Sequence, residues 1–149
     1  IVALWQVGGG EMQAPPALTE LEREEDQRAN VSSAPARVVV DRYASEQTVS
    51  EWGHRSATSI QQATGEYSFF SAYGGDVVAD CKETSCRVRW FLPNLDELPP
   101  DERERVLMMA RSELTALAVQ NSSDVGRLDA AWDLDGDPPS VSLFFNRQE

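Results

Sequence analysis

Along residues 76–91 apolar and polar positions alternate with a period of two, and this is the sharpest pattern in the chain. Side chains on a strand point to opposite faces in turn. Val77, Ala79 and Cys81 therefore share one face of a first strand, and Cys86, Val88 and Trp90 share one face of a second. Folding the chain at residues 82–85 pairs Cys81 with Cys86, Ala79 with Val88 and Val77 with Trp90. A single register thus aligns both apolar faces and brings the sulfurs together. On the other face it sets Asp80 opposite Arg87, a cross-strand ion pair of modest value. Opposed Cα atoms in an antiparallel pair lie about 4.5–5.5 Å apart, within disulfide range.

Longer-period patterns flank this hairpin. Residues 45–63 read as a helix with Val49, Trp52, Ser56 and Ile60 on one stripe, and Gly53 inside it permits close packing. Residues 100–120 read as a second helix. Pro99-Pro100 suits its start, Asp101 and Glu102 suit its positive end, and Val106, Leu107, Ala110, Leu114 and Leu117 form its buried stripe. Met108 and Met109 are expected to fill gaps in the core. Two further strands alternate over residues 127–134 and 141–146, joined by an Asp-Gly-Asp-Pro-Pro turn. Residues 66–73 hold Tyr67, Phe69, Phe70 and Tyr73, a cluster read as core or edge strand, with ligand or partner contact as the alternative. Val38, Val39 and Val40 form a short strand or lead into a helix.

The order helix, hairpin, helix, hairpin predicts an α+β fold of two αββ units. A four-stranded antiparallel sheet with both helices on one face buries the two apolar stripes, ferredoxin-like in outline. The folded domain is placed at residues 37–149. Residues 1–36 read as a tether, because residues 8–17 are rich in Gly, Pro and Ala and the stretch after them is charged. Within it Thr19 and Glu22 have capping-box spacing, which points to a solvated spacer helix to about residue 29, with disorder as the alternative. Asn30-Val31-Ser32 matches an N-glycosylation pattern, meaningful only in a eukaryotic secretory protein. Residues 1–7 are apolar with Trp5 among them and run straight into Gly8-Gly9-Gly10, which reads as the exit from a membrane anchor upstream of Ile1, with an ordinary apolar stub or strand as the plainer alternative.

Composition narrows the functional classes. With 149 residues and 41% apolar content the chain is long enough for one domain with a core. Its formal charge of −12 opposes phosphate backbones, so no nucleic-acid partner is expected. The cysteine count sharpens the compartment. A structural disulfide between Cys81 and Cys86 points to an oxidising environment, with two buried free thiols in a cytosolic domain as the plainer alternative. Redox chemistry prefers C-x-x-C, and zinc needs about four ligands where only His54 remains to help.

Tests for chemistry return little. Asp133, Asp135 and Asp137 resemble the start of a calcium loop, but its Gly and Glu positions hold Pro138 and Phe144. His54, the single histidine, falls two residues from the stripe residue Trp52 and is expected to face solvent. No P-loop, nucleophile elbow or dinucleotide fingerprint is present. No catalytic, cofactor-binding or metal-ligating residue is therefore assigned, and the chain is read as a non-enzyme without cofactors.

The run Val-Ala-Asp-Cys-Lys-Glu-Thr-Ser-Cys-Arg-Val, residues 78–88, resembles one in small uncharacterised envelope proteins of proteobacteria. Those proteins place a C-x-x-x-x-C-R-V hairpin between two helices and end in a strand pair with Gly near its turn and Arg at its end, positions that Gly136 and Arg147 match. The resemblance implies an exported, disulfide-bearing domain, often behind a membrane anchor, and no particular activity. The element order is also similar to that of periplasmic domains of bitopic secretion and pilus-assembly proteins, which is analogy only.

The expectation is thus a periplasmic interaction domain tethered to the inner membrane and binding another envelope protein. Tyr67, Phe69, Phe70 and Tyr73, with the arm of residues 11–28, are the candidate contacts. An acidic inhibitor or immunity protein that neutralises a basic enzyme is the alternative, motivated by the negative charge. A small hydrolase, which would need carboxylates clustered around the aromatic segment, comes third.

Overall fold

The computed structural model describes residues 34–92 and 94–148. The expected tether helix, the glycosylation pattern, the apolar residues 1–7 and the arm of residues 11–28 lie outside the described residues. Eight elements follow in order: α1 (Ala34–Ser45), α2 (Glu51–Ala63), α3 (Ser68–Tyr73), β1 (Val77–Cys81), β2 (Ser85–Phe91), α4 (Pro100–Asn121), β3 (Val125–Asp133) and β4 (Ser140–Arg147). The fold is α+β around one antiparallel sheet of order β1-β2-β4-β3. The two hairpins therefore meet through β2 and β4.

The β1–β2 register is the one that alternation predicts: Val77 faces Trp90, Ala79 faces Val88, Asp80 faces Arg87, and Cys81 faces Cys86. A disulfide joins the two cysteines, with Cα atoms 4.0 Å apart. Ladder pairing extends the same face across β4, where Cys86, Val88 and Trp90 meet Phe145, Leu143 and Val141. Trp52 and Ile60 of α2 and Val106, Ala110, Leu114 and Leu117 of α4 cover this face and complete the main core. Pro100 opens α4 and acidic residues occupy its first turn, as expected of a positively polarised helix end.

Four expectations need correction. First, residues 45–63 do not form one helix. α1 ends at Ser45, and α2 starts afresh after the N-cap Ser50, whose side chain accepts from the Gly53 amide. Val49 consequently leaves the stripe and is exposed. Second, Val38, Val39 and Val40 lie within α1, which begins inside the stretch read as tether. Third, helices cover both faces of the sheet rather than one. Val39, Val40 and Tyr43 of α1 pack on Ala131 and Phe144 as a second, smaller core. Fourth, Met108 is 71% exposed and Met109 42%, so neither fills a gap in the core.

The reason for the third correction is visible in β4. Its residues from Ser140 to Asn146 are all buried, because both faces are covered. Such a strand keeps bulky residues on both faces instead of alternating cleanly. Phe144, which breaks the alternation of Val141, Leu143 and Phe145, is the residue that α1 needs.

Candidate functional site

The tip of the stapled hairpin is held from both sides of the sheet. From the α1 side, Lys82 Nζ donates to the Glu46 carbonyl at 2.9 Å and lies 4.4 Å from the Tyr43 ring centre. The Glu46 carboxylate accepts from the Thr84 amide at 3.0 Å, the Ser85 hydroxyl at 2.6 Å and the Thr84 hydroxyl. The Tyr43 hydroxyl donates to the Asp80 carboxylate. From the α2 side, Ser50 donates to the Glu83 carbonyl at 2.7 Å. Gly53 is required here, since an added Cβ would stand 2.1 Å from the Lys82 carbonyl oxygen.

Ionisation follows from this packing. Burial pushes the Tyr43 phenol up, and its hydrogen bond to Asp80 adds to the shift, so it stays neutral. Burial also pushes the Glu46 carboxyl up, but the Ser85 and Thr84 hydroxyls and the Thr84 amide outweigh it and hold the group below its ordinary range. These groups grip backbone and neighbouring side chains. The arrangement is a mechanical latch.

The predicted contact residues have a packing role. Tyr67, Phe69, Phe70 and Tyr73 lie on or beside α3, a short helix rather than a strand. They roof the fully buried Trp90, with Phe69 and Phe70 ring centres 5.2 and 5.3 Å from it. Trp90 Nε1 donates to the Gly74 carbonyl at 3.1 Å, and the Tyr67 hydroxyl donates to the Gln120 side chain. Phe70 is buried and has no surface to offer a partner, whereas Tyr67, Phe69 and Tyr73 keep partly exposed rims.

Among the described residues the chemistry-bearing groups do not converge. His54 is exposed on α2, as its position two residues after Trp52 suggests. Among the described residues no three His, Cys, Asp or Glu side chains are grouped to hold a metal ion. A polar depression of about 490 Å³ between α2 and the end of α4 is lined by Arg55, Ser56, Ser59 and residues 120–123. Its buried floor is already satisfied: Ser56 and Ser122 share a 2.7 Å hydrogen bond, and Trp52 Nε1 donates to the Ser123 carbonyl at 2.8 Å.

A different surface carries exposed apolar area. Leu107, Met108 and Arg111 of α4, with Glu104, line a groove of about 390 Å³ together with Trp132 and Leu134 of the second hairpin. Leu134 is 45% exposed, and among the described residues Met108 is the most exposed large apolar side chain. Arg111, the basic residue of the lining, is held by the Asp129 carboxylate at 3.3 Å. Reading the methionines as core fillers hides this groove. The available signal is helical spacing: Met108 falls two residues after Val106, about 200° round the helix from the buried stripe.

The groove runs beside one edge of the sheet, and the two edges differ. At the β1 edge the Gln61 side-chain amide donates to the Val77 carbonyl at 2.6 Å and accepts from the Ala79 amide at 2.9 Å. One glutamine thus substitutes for a neighbouring strand. At the β3 edge, among the described residues, β4 is the only paired strand. A register shift between Val125 and Leu128 disturbs the start of β3, and the Asn146 side chain accepts the Arg127 amide there at 2.8 Å. From Leu128 to Asp133 the register with β4 is regular.

No protein-family model, curated protein or solved structure matches this chain.

Proposed function

We propose that this chain is a non-enzymatic protein-interaction domain of an extracytoplasmic compartment, periplasmic and tethered to the inner membrane, that binds another envelope protein. The observation that carries the reading is the apolar groove of Leu107, Met108, Trp132 and Leu134 on a domain whose main core is otherwise well covered. Exposed apolar side chains gathered in one place and rimmed by polar groups mark interaction surfaces. The Cys81–Cys86 bond supports an oxidising address, since such bonds persist outside the reducing cytosol. The tether rests on the resemblance of residues 78–88 to envelope proteins and on the apolar residues 1–7. No helix among the described residues is long and apolar enough to cross a membrane.

The order of strands supports the ferredoxin-like outline. Moving β4 to the front of α2, β1, β2, α4 and β3 produces the sequence βαββαβ of that fold.

Thiol trapping in intact cells tests the address. The full chain is expected in the extracytoplasmic membrane fraction, with both cysteines resistant to alkylation until a reductant is added. Immediate alkylation of both thiols in a cytosolic fraction would overturn it.

A further inference from the structure

We infer that the depression where α1 meets the start of β3 and the end of β4 binds a carboxylate that carries an apolar group. The inference goes beyond the interaction-domain reading and does not depend on the groove beside α4. Across the ladder Val125 faces Arg147 and Leu128 faces Phe145, so Gly126 and Arg127 together stand opposite Asn146. Such a bulge leaves one strand with an extra residue and re-aims its side chain. Gly126 permits the close approach, since an added Cβ would lie 2.9 Å from Asn146 Oδ1 and 3.1 Å from the Asn146 carbonyl oxygen. The depression measures about 340 Å³, and Val38 of α1, Gly126, Arg127, Asn146 and Gln148 are in its lining.

Two donors at this place lack an acceptor. Asn146 is only 8% exposed, and its Oδ1 accepts the Arg127 amide at 2.8 Å, which fixes Nδ2 as the free end of the side chain. Nδ2 makes no hydrogen bond to the described residues. Among those residues Arg103 Nε is the enclosed side-chain atom without a partner, so Asn146 Nδ2 is not sealed in and opens onto the depression. The Arg127 guanidinium is exposed, and among the described residues no carboxylate pairs with it, although the chain has 25 acidic residues against 13 basic ones. Arg42 also lines the depression but already has a partner. Arg147 follows Asn146 and turns to the other face of the sheet, where its guanidinium lies 5.9 Å from the Trp52 ring centre. Arg127 is thus the cation of the site.

The donor set selects the ligand. A guanidinium offers two parallel N–H groups to one carboxylate, and Asn146 adds a neutral third donor. One positive charge suits one negative charge. A phosphate dianion would meet the field of a chain of net charge −12 with that single cation to offset it. Val38 is 48% exposed in the wall and gives an apolar substituent a surface to pack on. A free branched-chain acid and the C-terminal residue of a peptide share this chemistry.

The test titrates the isotope-labelled full chain with isovalerate, with acetyl-glycyl-leucine, with the C-terminal amide of that dipeptide, and with inorganic phosphate. Shifts of the Gly126, Arg127 and Gln148 amides and of the Asn146 side-chain NH₂ are expected with the two carboxylates, and not with the amide or phosphate. Tighter binding of the dipeptide assigns a chain terminus as the source, and tighter binding of isovalerate assigns a free acid. Arg127→Gln should weaken binding at least about tenfold with the circular dichroism spectrum unchanged, because that side chain is exposed. Arg127→Lys, which keeps the charge and loses the fork, should recover only part of the affinity. No response to either carboxylate, an equal response to phosphate or to the dipeptide amide, an unmoved Asn146 side-chain signal, or full binding by Arg127→Gln would overturn the inference.

Discussion

The β1–β2 and β3–β4 hairpins lie side by side in one sheet, yet they differ at their tips and at their outer edges. The first has a disulfide beneath its tip, contacts to that tip from both α1 and α2, and Gln61 closing its edge. The second has an acidic turn with exposed Asp135 and Asp137, an edge on which the Asp129 carboxylate accepts from the Ala130 amide, and an apolar groove alongside. Neither difference follows from strand composition, since both hairpins carry alternating apolar faces. What separates them is which outside groups come to meet each one. The stapled hairpin is a fixed point on which helices are hung, and the other has an apolar groove beside it.

Breaking the stapled side should cost the most stability. Replacing both cysteines by alanine removes a short loop closure and is expected to cost about 2 kcal/mol, read by denaturant unfolding. Gly53→Ala should come next, at about 1–3 kcal/mol, because a methyl at 2.1 Å from a backbone carbonyl cannot be relieved by rotation and forces α2 off the tip. The same change would gain helix propensity at an open site, so a net loss speaks for the close approach. Gln61→Ala should cost about 1 kcal/mol and promote self-association through the uncovered β1 edge, seen by sedimentation.

Glu46 sharpens the comparison through pH. Its carboxyl is held below the ordinary range in the folded chain, so its stabilisation is complete above the unfolded pKa of about 4.3 and is lost as pH falls through the lower folded value. Glu46→Gln should lower stability at neutral pH by about 1 kcal/mol and remove that acid-limb dependence. At the small end, Asp135→Ala and Met108→Glu on the second hairpin side should change stability by no more than about 0.5 kcal/mol, since both side chains are exposed. A large loss there would mean that the second hairpin is braced after all.

Much of the first hairpin was legible because local alternation and one covalent pairing agree on a single register. The faces of Trp52, Ser56 and Ile60 and of Val106, Ala110, Leu114 and Leu117 were legible for the same reason: period 3.6 survives wherever one helix face is buried. The break between α1 and α2 was not, although Ser50 before Glu51 is a readable cap. What interrupts the helix is Glu46 reaching to Thr84 and Ser85, a contact far off in sequence that leaves no local trace. The α1 layer was half visible in Phe144. The aromatic run was legible as core but not as helix. Four rings in eight residues look like a surface for stacking, but Trp90 lies beneath them and claims them for the core.

Amide hydrogen exchange on the oxidised full chain tests the contrast between the hairpins most directly. The Ala79 amide, bonded to Gln61, should exchange slowly. The Leu128 amide, beside the register shift that disturbs the start of β3, should exchange faster. Protection of the Leu128 amide equal to that of the Ala79 amide would contradict the account.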